Sequence, residues 1–111
     1  MSNYVIFQAF CYKGGNYMIK VVAKNKVMND KLETILKLYE ELVRETRKEE
    51  GCILYELFQD MEDPSVLTMI EEWEDKASLD KHMKTEHFMR IVPMVGEFVT
   101  DKSLNIYNKV F

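Results

Sequence analysis

The chain has 111 residues, of which 47% are hydrophobic and 31% are charged, and this length and balance predict one globular domain. Its formal net charge of −4 argues against nucleic acid as the main partner, because contact with phosphates needs a basic surface. The sequence lacks an apolar run of the roughly 18 residues that cross a membrane, and its first residues lack the pattern of an export signal. We therefore expect a cytoplasmic protein with no membrane partner.

The two cysteines, Cys11 and Cys52, are expected to be free thiols in a reducing cytosol. A domain of this size does not need a disulfide for stability. Cys52 begins an apolar run, which favours a role as a small buried side chain. Neither cysteine has a histidine close to it in sequence, so nucleophilic catalysis by a thiol is not favoured.

Residues 1–17 are interpreted as an N-terminal extension, and residues 18–111 as the domain. The segment from Tyr4 to Tyr12 is rich in residues that favour strands, and the segment from Lys13 to Asn16 is typical of a turn or linker. Translation could itself begin at Met18, which would leave residues 1–17 out of the protein. The extension could therefore be an arm, an extra edge strand or a segment without function.

The first part of the domain is predicted from its periodicity. Apolar and polar residues alternate from Met18 to Val27, which predicts a strand with one buried face. Asp30 and Glu33 form a capping pattern at the start of a long amphipathic helix that ends before Gly51. Residues 52–60 and 66–73 then predict two strands, joined by a loop rich in turn-forming residues.

The last part of the domain is predicted to contain two short helices and a strand. Asp75 can cap a helix that runs to about Lys84, and a second helix precedes Gly96, with Pro93 expected to bend it or end it early. Residues 103–110 alternate again. The order of elements predicts an α+β, ferredoxin-like split βαβ fold, with a four-stranded antiparallel sheet and helices on one face.

The second strand predicts a partner for the sheet. Apolar side chains are expected on both of its faces: Ile53, Tyr55 and Leu57 on one, and Cys52, Leu54 and Phe58 on the other. A sheet face that is apolar and uncovered usually marks an interface. Packing two sheets together about a two-fold axis would cover it, so we expect a homodimer.

An ordered series of short motifs runs from residue 50 to residue 88. It consists of Glu-Gly-Cys-Ile-Leu-Tyr at 50–55, Asp60, Asp63-Pro64, Glu71-Glu72-Trp73 and His82-Met-Lys-Thr-Glu-His87-Phe88. In this order the motifs resemble the antibiotic biosynthesis monooxygenase family, small proteins that include cofactor-independent quinol oxygenases. The resemblance extends over about residues 18–111 and implies a dimeric α+β barrel. Related members degrade haem or isomerise signals derived from sugars.

Three residues are the candidates for catalysis. His82 shares a helix side with Leu79 and Met83, so it is expected to point toward the sheet, where it could take a proton from a phenol; the alternative is a buried structural histidine. Trp73 is either a core aromatic or a donor to a substrate oxygen. Asn25 is a polar residue on an apolar face and must be paired by the fold or by a ligand. The set resembles the asparagine, tryptophan and histidine of the haem-degrading members.

Three further residues are candidates for substrate binding: Tyr55, Glu71 and His87. The resemblance places Tyr55 and Glu71 on family positions. Each residue also has a structural alternative. Tyr55 could belong to the core, Glu71 could bond within the fold or to a dimer mate, and His87 could support the start of the last helix.

Neither a metal nor another cofactor is expected. On a continuous helix His82 and His87 would point about 140° apart, which is poor geometry for one metal ion. His82 and Glu86 have a suitable spacing, but they would need a third ligand from elsewhere. No glycine-rich loop opens a helix, so no nucleotide site is predicted.

The family resemblance implies an oxygenase that acts on a quinol or polyphenol with dioxygen. Dioxygen reacts faster with a phenolate than with a neutral phenol. The protein would need to remove a proton, stabilise the anion and exclude water, in a cleft lined by Asn25, Trp73 and His82. The alternatives are a haem-binding or haem-degrading protein, an acid–base isomerase and a non-catalytic dimer that binds a small ligand.

Overall fold

The computed structural model describes residues 17–111 and has the predicted ferredoxin-like architecture. The elements are β1 (Ile19–Val27), a 3₁₀ turn (Asn29–Lys31), α1 (Leu32–Thr46), β2 (Cys52–Gln59), β3 (Val66–Trp73), α2 (Lys76–His82), α3 (Glu86–Gly96) and β4 (Val99–Asn108). The strands form one sheet in the order β2-β3-β1-β4, and each neighbouring pair is antiparallel. Apart from Tyr17, the predicted extension lies outside the described residues, so the boundary at residue 18 stays a prediction.

The helices cover one face of the sheet, as predicted. Side chains of β1 and β3 alternate, so Ile19 and Val21 face the same way as Leu67 and Met69. These side chains form one core with residues of α1, such as Ile35. Among the described residues, no helix is long and apolar enough to cross a membrane.

The start of α1 differs from the prediction. Asp30 does not cap the helix; it lies within the 3₁₀ turn, and the residue at the cap position, Lys31, makes no side-chain capping bond. The turn supplies backbone partners in its place, since the amide of Lys31 donates to the carbonyl of Met28 at 3.0 Å. These early amides are therefore satisfied without an acidic side chain.

Pro93 does not end α3 early, because the helix continues to Gly96. A proline lacks the N–H that would bond to the carbonyl four residues earlier, here that of Met89. Both Pro93 and Met89 are exposed, so water can bind that carbonyl. The predicted early end was wrong because the proline lies on the solvent side of the helix.

A bulge in β2 changes the predicted alternation of its side chains. The register with β3 shifts between Cys52 and Leu54, and this places Cys52 opposite Trp73 and Tyr55 opposite Glu71. Cys52 therefore packs against the core, on the same face as Tyr55. Ile53, at the bulge, is 52% exposed, so it does not share the core face as the simple alternation predicted.

Candidate active site

A cavity of about 740 Å³ lies between the sheet and the helices. Its wall is largely apolar, with Met69, Phe88 and Val92 among the contributors. Four residues with ionisable or hydrogen-bonding side chains interrupt this wall: Asn25, Tyr39, Tyr55 and Glu71. Exposed residues at the start of β4, from Thr100 to Ser103, also border the cavity. The space is large enough for an aromatic molecule.

Asn25 and Tyr39 form one polar pair in the wall. The Nδ2 atom of Asn25 donates a hydrogen bond to the hydroxyl of Tyr39 at 2.9 Å. Burial raises the pKa of Tyr39, although the bond from Asn25 opposes the change. The phenol therefore stays neutral and keeps a proton to donate. The fold thus supplies one partner for the Asn25 amide, as its place on an apolar strand face requires.

Glu71 places a carboxyl group in the wall. It is 7% exposed and lies between Val21 of β1 and Tyr55 of β2 in the sheet register. Burial raises its pKa to about 7, and the charge of Glu49 acts in the same direction, while the bond from Trp73 opposes both. A carboxyl group with this pKa exchanges a proton near neutral pH, as a general acid or base must.

Trp73 lies behind Glu71 and does not border the cavity. It is fully buried, and its indole N–H donates to Oε1 of Glu71 at 2.9 Å. In this arrangement the N–H is not free to bind a substrate oxygen. The indole instead orients the carboxyl group of Glu71, so that its other oxygen is available for a further contact.

His82 lies one side chain behind the cavity wall. Its ring packs on that of Trp73, with 4.6 Å between centroids, and it also contacts Phe88 and Tyr55, which both border the cavity. The residue is 1% exposed, and its Nε2 atom has no hydrogen-bond partner among the described residues. Burial lowers the pKa of His82, while the neighbouring Glu49 acts to raise it.

Glu49, which the sequence analysis did not identify, joins the two histidines. Its Oε2 atom lies 2.8 Å from Nδ1 of His82 and 2.6 Å from Nε2 of His87. The two histidines belong to separate helices, α2 and α3, because Thr85 caps a new helix and accepts a bond from the amide of Phe88. The prediction that they diverge assumed a continuous helix and was wrong. Glu86, whose spacing from His82 would suit a metal ligand, instead accepts a hydrogen bond from Arg90 at 2.7 Å.

The turn after α1 explains why Glu49 reaches this position. The amide of Glu49 donates to the carbonyl of Thr46, and its carbonyl accepts from the amide of Cys52. Gly51 has a φ of +89°, a conformation that favours glycine. The sequence signal for this turn was the Glu-Gly pair at 50–51. The carboxylate that contacts both histidines, Glu49, precedes this pair by one residue.

The remaining candidates have neutral side chains. Tyr55 is buried and borders the cavity, and burial raises the pKa of its phenol well above the usual value. Cys52 is half-buried and free, and burial raises the pKa of its thiol to about 11. Because the thiolate is the nucleophile, Cys52 is not activated for catalysis.

Comparison with known proteins assigns the family. Residues 18–93 match the family described as antibiotic biosynthesis monooxygenase. The chain belongs to this family. It is 36% identical over 83 residues to the "Putative monooxygenase YcnE" of Bacillus subtilis (strain 168), and this match covers 75% of the chain and 87% of that protein.

Solved structures agree with the assignment to the antibiotic biosynthesis monooxygenase family. The crystal structure of a conserved protein from Methanosarcina mazei Go1 matches with a TM-score of 0.82 at 44% identity, covering 85% of this chain and 94% of that one. A crystal structure of an antibiotic biosynthesis monooxygenase matches with a TM-score of 0.81 at 39% identity, covering 84% and 99%. The fold predicted from the sequence is therefore confirmed, as is the resemblance to the family.

The fold brings the six predicted site residues into one region, in two layers. Asn25, Tyr55 and Glu71 border the cavity. Trp73, His82 and His87 do not border it; Trp73 and His82 are fully buried, and the side chain of His87 is 15% exposed. Tyr39, which sequence reasoning missed, belongs to the first layer because its helix position faces β1.

Proposed function

We propose that this protein is a monooxygenase that oxidises an electron-rich aromatic molecule, a quinol or polyphenol, with dioxygen and without a cofactor. Membership of the monooxygenase family supports the reaction class. The observation that carries the choice of substrate is the cavity, which combines an apolar wall with a buried carboxyl group of pKa about 7. Such a site can hold a phenol and accept its proton.

The reaction needs no external reductant. A quinol that carries a ring hydrogen can supply all four electrons that reduce one dioxygen. Dioxygen adds to a ring carbon of the deprotonated substrate, and the resulting hydroperoxide loses water. One oxygen atom thus replaces a ring hydrogen, the other leaves as water, and the product is a hydroxyquinone.

The residues that border the cavity can perform the steps before dioxygen reacts. The carboxylate of Glu71 accepts the phenol proton. The hydroxyl of Tyr39, held by Asn25, can donate a hydrogen bond to the phenolate oxygen. The apolar wall excludes water, which strengthens both interactions. We also propose His82, the proton acceptor predicted from the sequence, as an alternative residue for this role. A substrate in the cavity would reach His82 only if Phe88 or Tyr55 moved.

Oxygen uptake tests the proposed reaction. The protein is mixed with a panel of quinols and polyphenols in an oxygen electrode, and the products are analysed after reaction with ¹⁸O₂. We expect one labelled oxygen atom per product and no released hydrogen peroxide. The dimethyl ether of a reactive quinol is the matched control, because it has a similar shape but no hydroxyl proton. Oxidation of the ether at the same rate, or peroxide as the main product, would contradict the proposal.

A second measurement separates the proposal from the other functions considered. Titration with haem is followed at the Soret band. Stoichiometric binding of haem with no quinol oxidation would favour a haem-binding protein. The absence of both haem binding and oxygen uptake would favour an isomerase or a binding module.

We also propose that the protein is a cytoplasmic homodimer. The sheet face away from the helices carries Val22, Leu54, Phe58 and Ile70, which are apolar and partly or largely exposed in the single chain. A second copy of the same sheet would cover them. Within residues 17–111 the thiol of Cys52 forms no disulfide, which is consistent with a reducing compartment.

A further inference from the structure

Behind the cavity wall lies a second polar group of residues, Glu49, His82 and His87, here called the histidine cluster. Each contributes one atom that can bind a metal, and these atoms lie within 4.8 Å of one another. They come from three separate pieces of chain: the turn after α1, the last residue of α2 and the first turn of α3. The fold therefore gathers two imidazoles and one carboxylate at a single point.

The contacts in the histidine cluster require a positive charge between the atoms. A carboxylate oxygen and an imidazole lone pair repel each other at the 2.8 Å that separates Glu49 Oε2 from His82 Nδ1. The same holds at the 2.6 Å that separates this oxygen from His87 Nε2. Either a proton on each nitrogen or one metal ion bound by all three atoms removes the repulsion.

The unpartnered nitrogen of His82 favours the metal. If Nδ1 carried the proton, Nε2 would be a buried lone pair with no donor among the described residues, on a ring that packs against those of Trp73, Phe88 and Tyr55. If Nδ1 bound a metal, the proton would lie on Nε2, where an N–H can interact with the faces of aromatic rings. The surroundings of Nε2 thus suit the tautomer that leaves Nδ1 free to be a ligand.

The histidine cluster is also accessible and held in place. The side chains of Glu49 and His87 are 13% and 15% exposed, so an ion can enter from solvent and keep a bound water. Thr85 fixes the junction between the two helices, because its hydroxyl donates to the carbonyl of His82 at 2.7 Å. Metal–ligand bonds of about 2.1 Å in a tetrahedron need the ligand atoms roughly 3.4 Å apart. The contacts of Glu49 Oε2, at 2.8 Å and 2.6 Å, would open by about 0.6–0.8 Å to provide this. The two histidine nitrogens, which lie within 4.8 Å of each other, would take the same spacing.

We propose that Glu49, His82 and His87 bind one divalent transition-metal ion of the zinc class. Two imidazole nitrogens and one carboxylate oxygen suit Zn²⁺, Co²⁺ or Ni²⁺ rather than Mg²⁺ or Ca²⁺, which prefer oxygen ligands alone. The ion would tie the turn after α1 to both short helices, directly behind Trp73. This site goes beyond the proposed oxidation, in which Glu71 accepts the substrate proton.

Binding of Co²⁺ and Zn²⁺ to the full chain tests the proposal. The protein is stripped with a chelator and titrated with Co²⁺, with the visible absorption of the bound ion as the readout. Zn²⁺ binding is then measured by calorimetry and by the rise in thermal midpoint. We expect one ion per chain and a higher midpoint with Zn²⁺, because the ion binds the folded state. Mg²⁺ at the same concentration should have no effect.

Matched variants locate the site. Glu49→Gln and His87→Gln should each weaken Zn²⁺ binding by about 100-fold or more, since each removes a ligand. Glu50→Gln is the control, because Glu50 is exposed, adjacent in sequence and carries the same charge. Equal affinity in Glu49→Gln and Glu50→Gln, or no stoichiometric binding by the natural chain, would overturn the proposal. Metal binding and oxygen uptake are separate measurements on the natural chain, which can oxidise a quinol without binding Zn²⁺ or bind Zn²⁺ without oxidising a quinol, so the two proposals fail separately.

If a variant fails to fold, the natural chain still decides the question. Nitrogen-15 spectra of the imidazole rings report which nitrogen carries the proton. Addition of Zn²⁺ should shift the Nδ1 signal of His82 and the Nε2 signal of His87. Unchanged ring signals in the presence of Zn²⁺ would overturn the proposal.

Discussion

Glu71 has a carboxyl group that the fold holds away from water. Its pKa rises from 4.5 to about 7 on folding, mainly because of burial. The folded chain therefore binds more protons than the unfolded chain between these pH values, and stability must fall as the pH rises through this window. Above about pH 7 the loss is complete, and a shift of this size corresponds to about 3 kcal/mol.

Replacement of Glu71 by glutamine tests this dependence. Glu71→Gln keeps an oxygen that can accept the Trp73 N–H but cannot ionise. We expect the variant to match the natural chain at about pH 4, below the unfolded pKa, and to be more stable by up to about 3 kcal/mol at pH 8. Denaturant unfolding at both pH values measures the difference.

Glu72→Gln is the control for this experiment. Glu72 is the next residue of β3, but its side chain points to the other face and lies 3.3 Å from Lys20. An exposed pair of this kind contributes little to stability. A gain at pH 8 in Glu72→Gln equal to that in Glu71→Gln would show that the effect does not come from the buried carboxyl group.

The same substitution decides which residue accepts the substrate proton. If Glu71 is the acceptor, Glu71→Gln should lower turnover of the quinol by roughly 10²–10⁴-fold, the usual contribution of a positioned base. If His82 is the acceptor, His82→Ala should cause that loss and Glu71→Gln should not. Turnover is measured by oxygen uptake, with the thermal midpoint recorded alongside.

A separate outcome identifies a structural role for His82. If His82→Ala unfolds at a lower temperature but keeps its specific activity when folded, the histidine supports the fold and does not handle the proton. Trp73→Phe keeps most of the packing and removes the N–H that holds Glu71. It should therefore lower activity less than Glu71→Gln does.

At the residue scale, sequence reasoning recognised side chains that break a local pattern. Asn25 stood out because it is polar on an apolar strand face, and the structure pairs it with Tyr39. The bond between Trp73 and Glu71 was within reach, because residues two apart on a strand share a face. The contacts of Glu49 could not be predicted from the sequence, because they depend on a turn and on two helices that follow later in the chain.

At the scale of elements, the turn between α1 and β2 is the least tolerant segment of the site. Gly51 has a positive φ, and a Cβ atom at this position would overlap the side chain of Ser78 in α2. The sequence placed a glycine stop here, but the structure ends α1 earlier, at Thr46. The intervening residues form the turn that carries Glu49.

Gly51→Ala tests this turn. We expect the free energy of unfolding to fall by at least about 1–3 kcal/mol, the cost of a strained backbone, with the contact to Ser78 adding to it. Gly96→Ala is the control, since Gly96 ends α3 and has no heavy atom within 4 Å of the added methyl group. An alanine in the helix should change stability by less than about 1 kcal/mol. Equal losses in the two variants would contradict the assigned role of Gly51.

The two short helices show where element prediction succeeds and where it stops. Asp75 caps α2 as predicted, because its carboxylate accepts from the amide of Ser78 at 2.8 Å. Local capping chemistry is written in a few adjacent residues, so sequence reveals it. The angle between α2 and α3 is not local. It depends on packing against β3 and α1, and it alone makes His82 and His87 converge on Glu49.

At the scale of the whole molecule, the order of elements and the family were predictable because periodicity and motif order are properties of the linear chain. The depth of the cavity could not be predicted, because it depends on how α1 and α3 pack over the sheet strands, β1 and β4 among them. The sequence also predicted that the sheet has a second apolar face. In the described residues, Val22 lies opposite Ile70 on that face, near Phe58, which is 49% exposed.

Dimerisation through this face is the prediction for the assembly. An interface that is stable in solution buries about 800 Å² on each partner and has an apolar centre, and the outer faces of β1, β2 and β3 offer such a centre. We expect a dimer at micromolar concentration in sedimentation equilibrium. Phe58→Glu should shift the equilibrium toward monomer, because it places a charge on this apolar face and leaves it unpaired in the dimer.

Met61→Glu is the matched control for Phe58→Glu. Met61 is 99% exposed in the loop between β2 and β3, so the same new charge there should leave the dimer intact. A natural chain that stays monomeric at micromolar concentration would contradict the prediction, and equal effects of both variants would show that net charge matters and the face does not. Because the cavity lies on the opposite side of the sheet from this face, a monomeric but folded Phe58→Glu variant should still bind an aromatic ligand. Dimerisation and substrate binding can thus be measured independently in one variant.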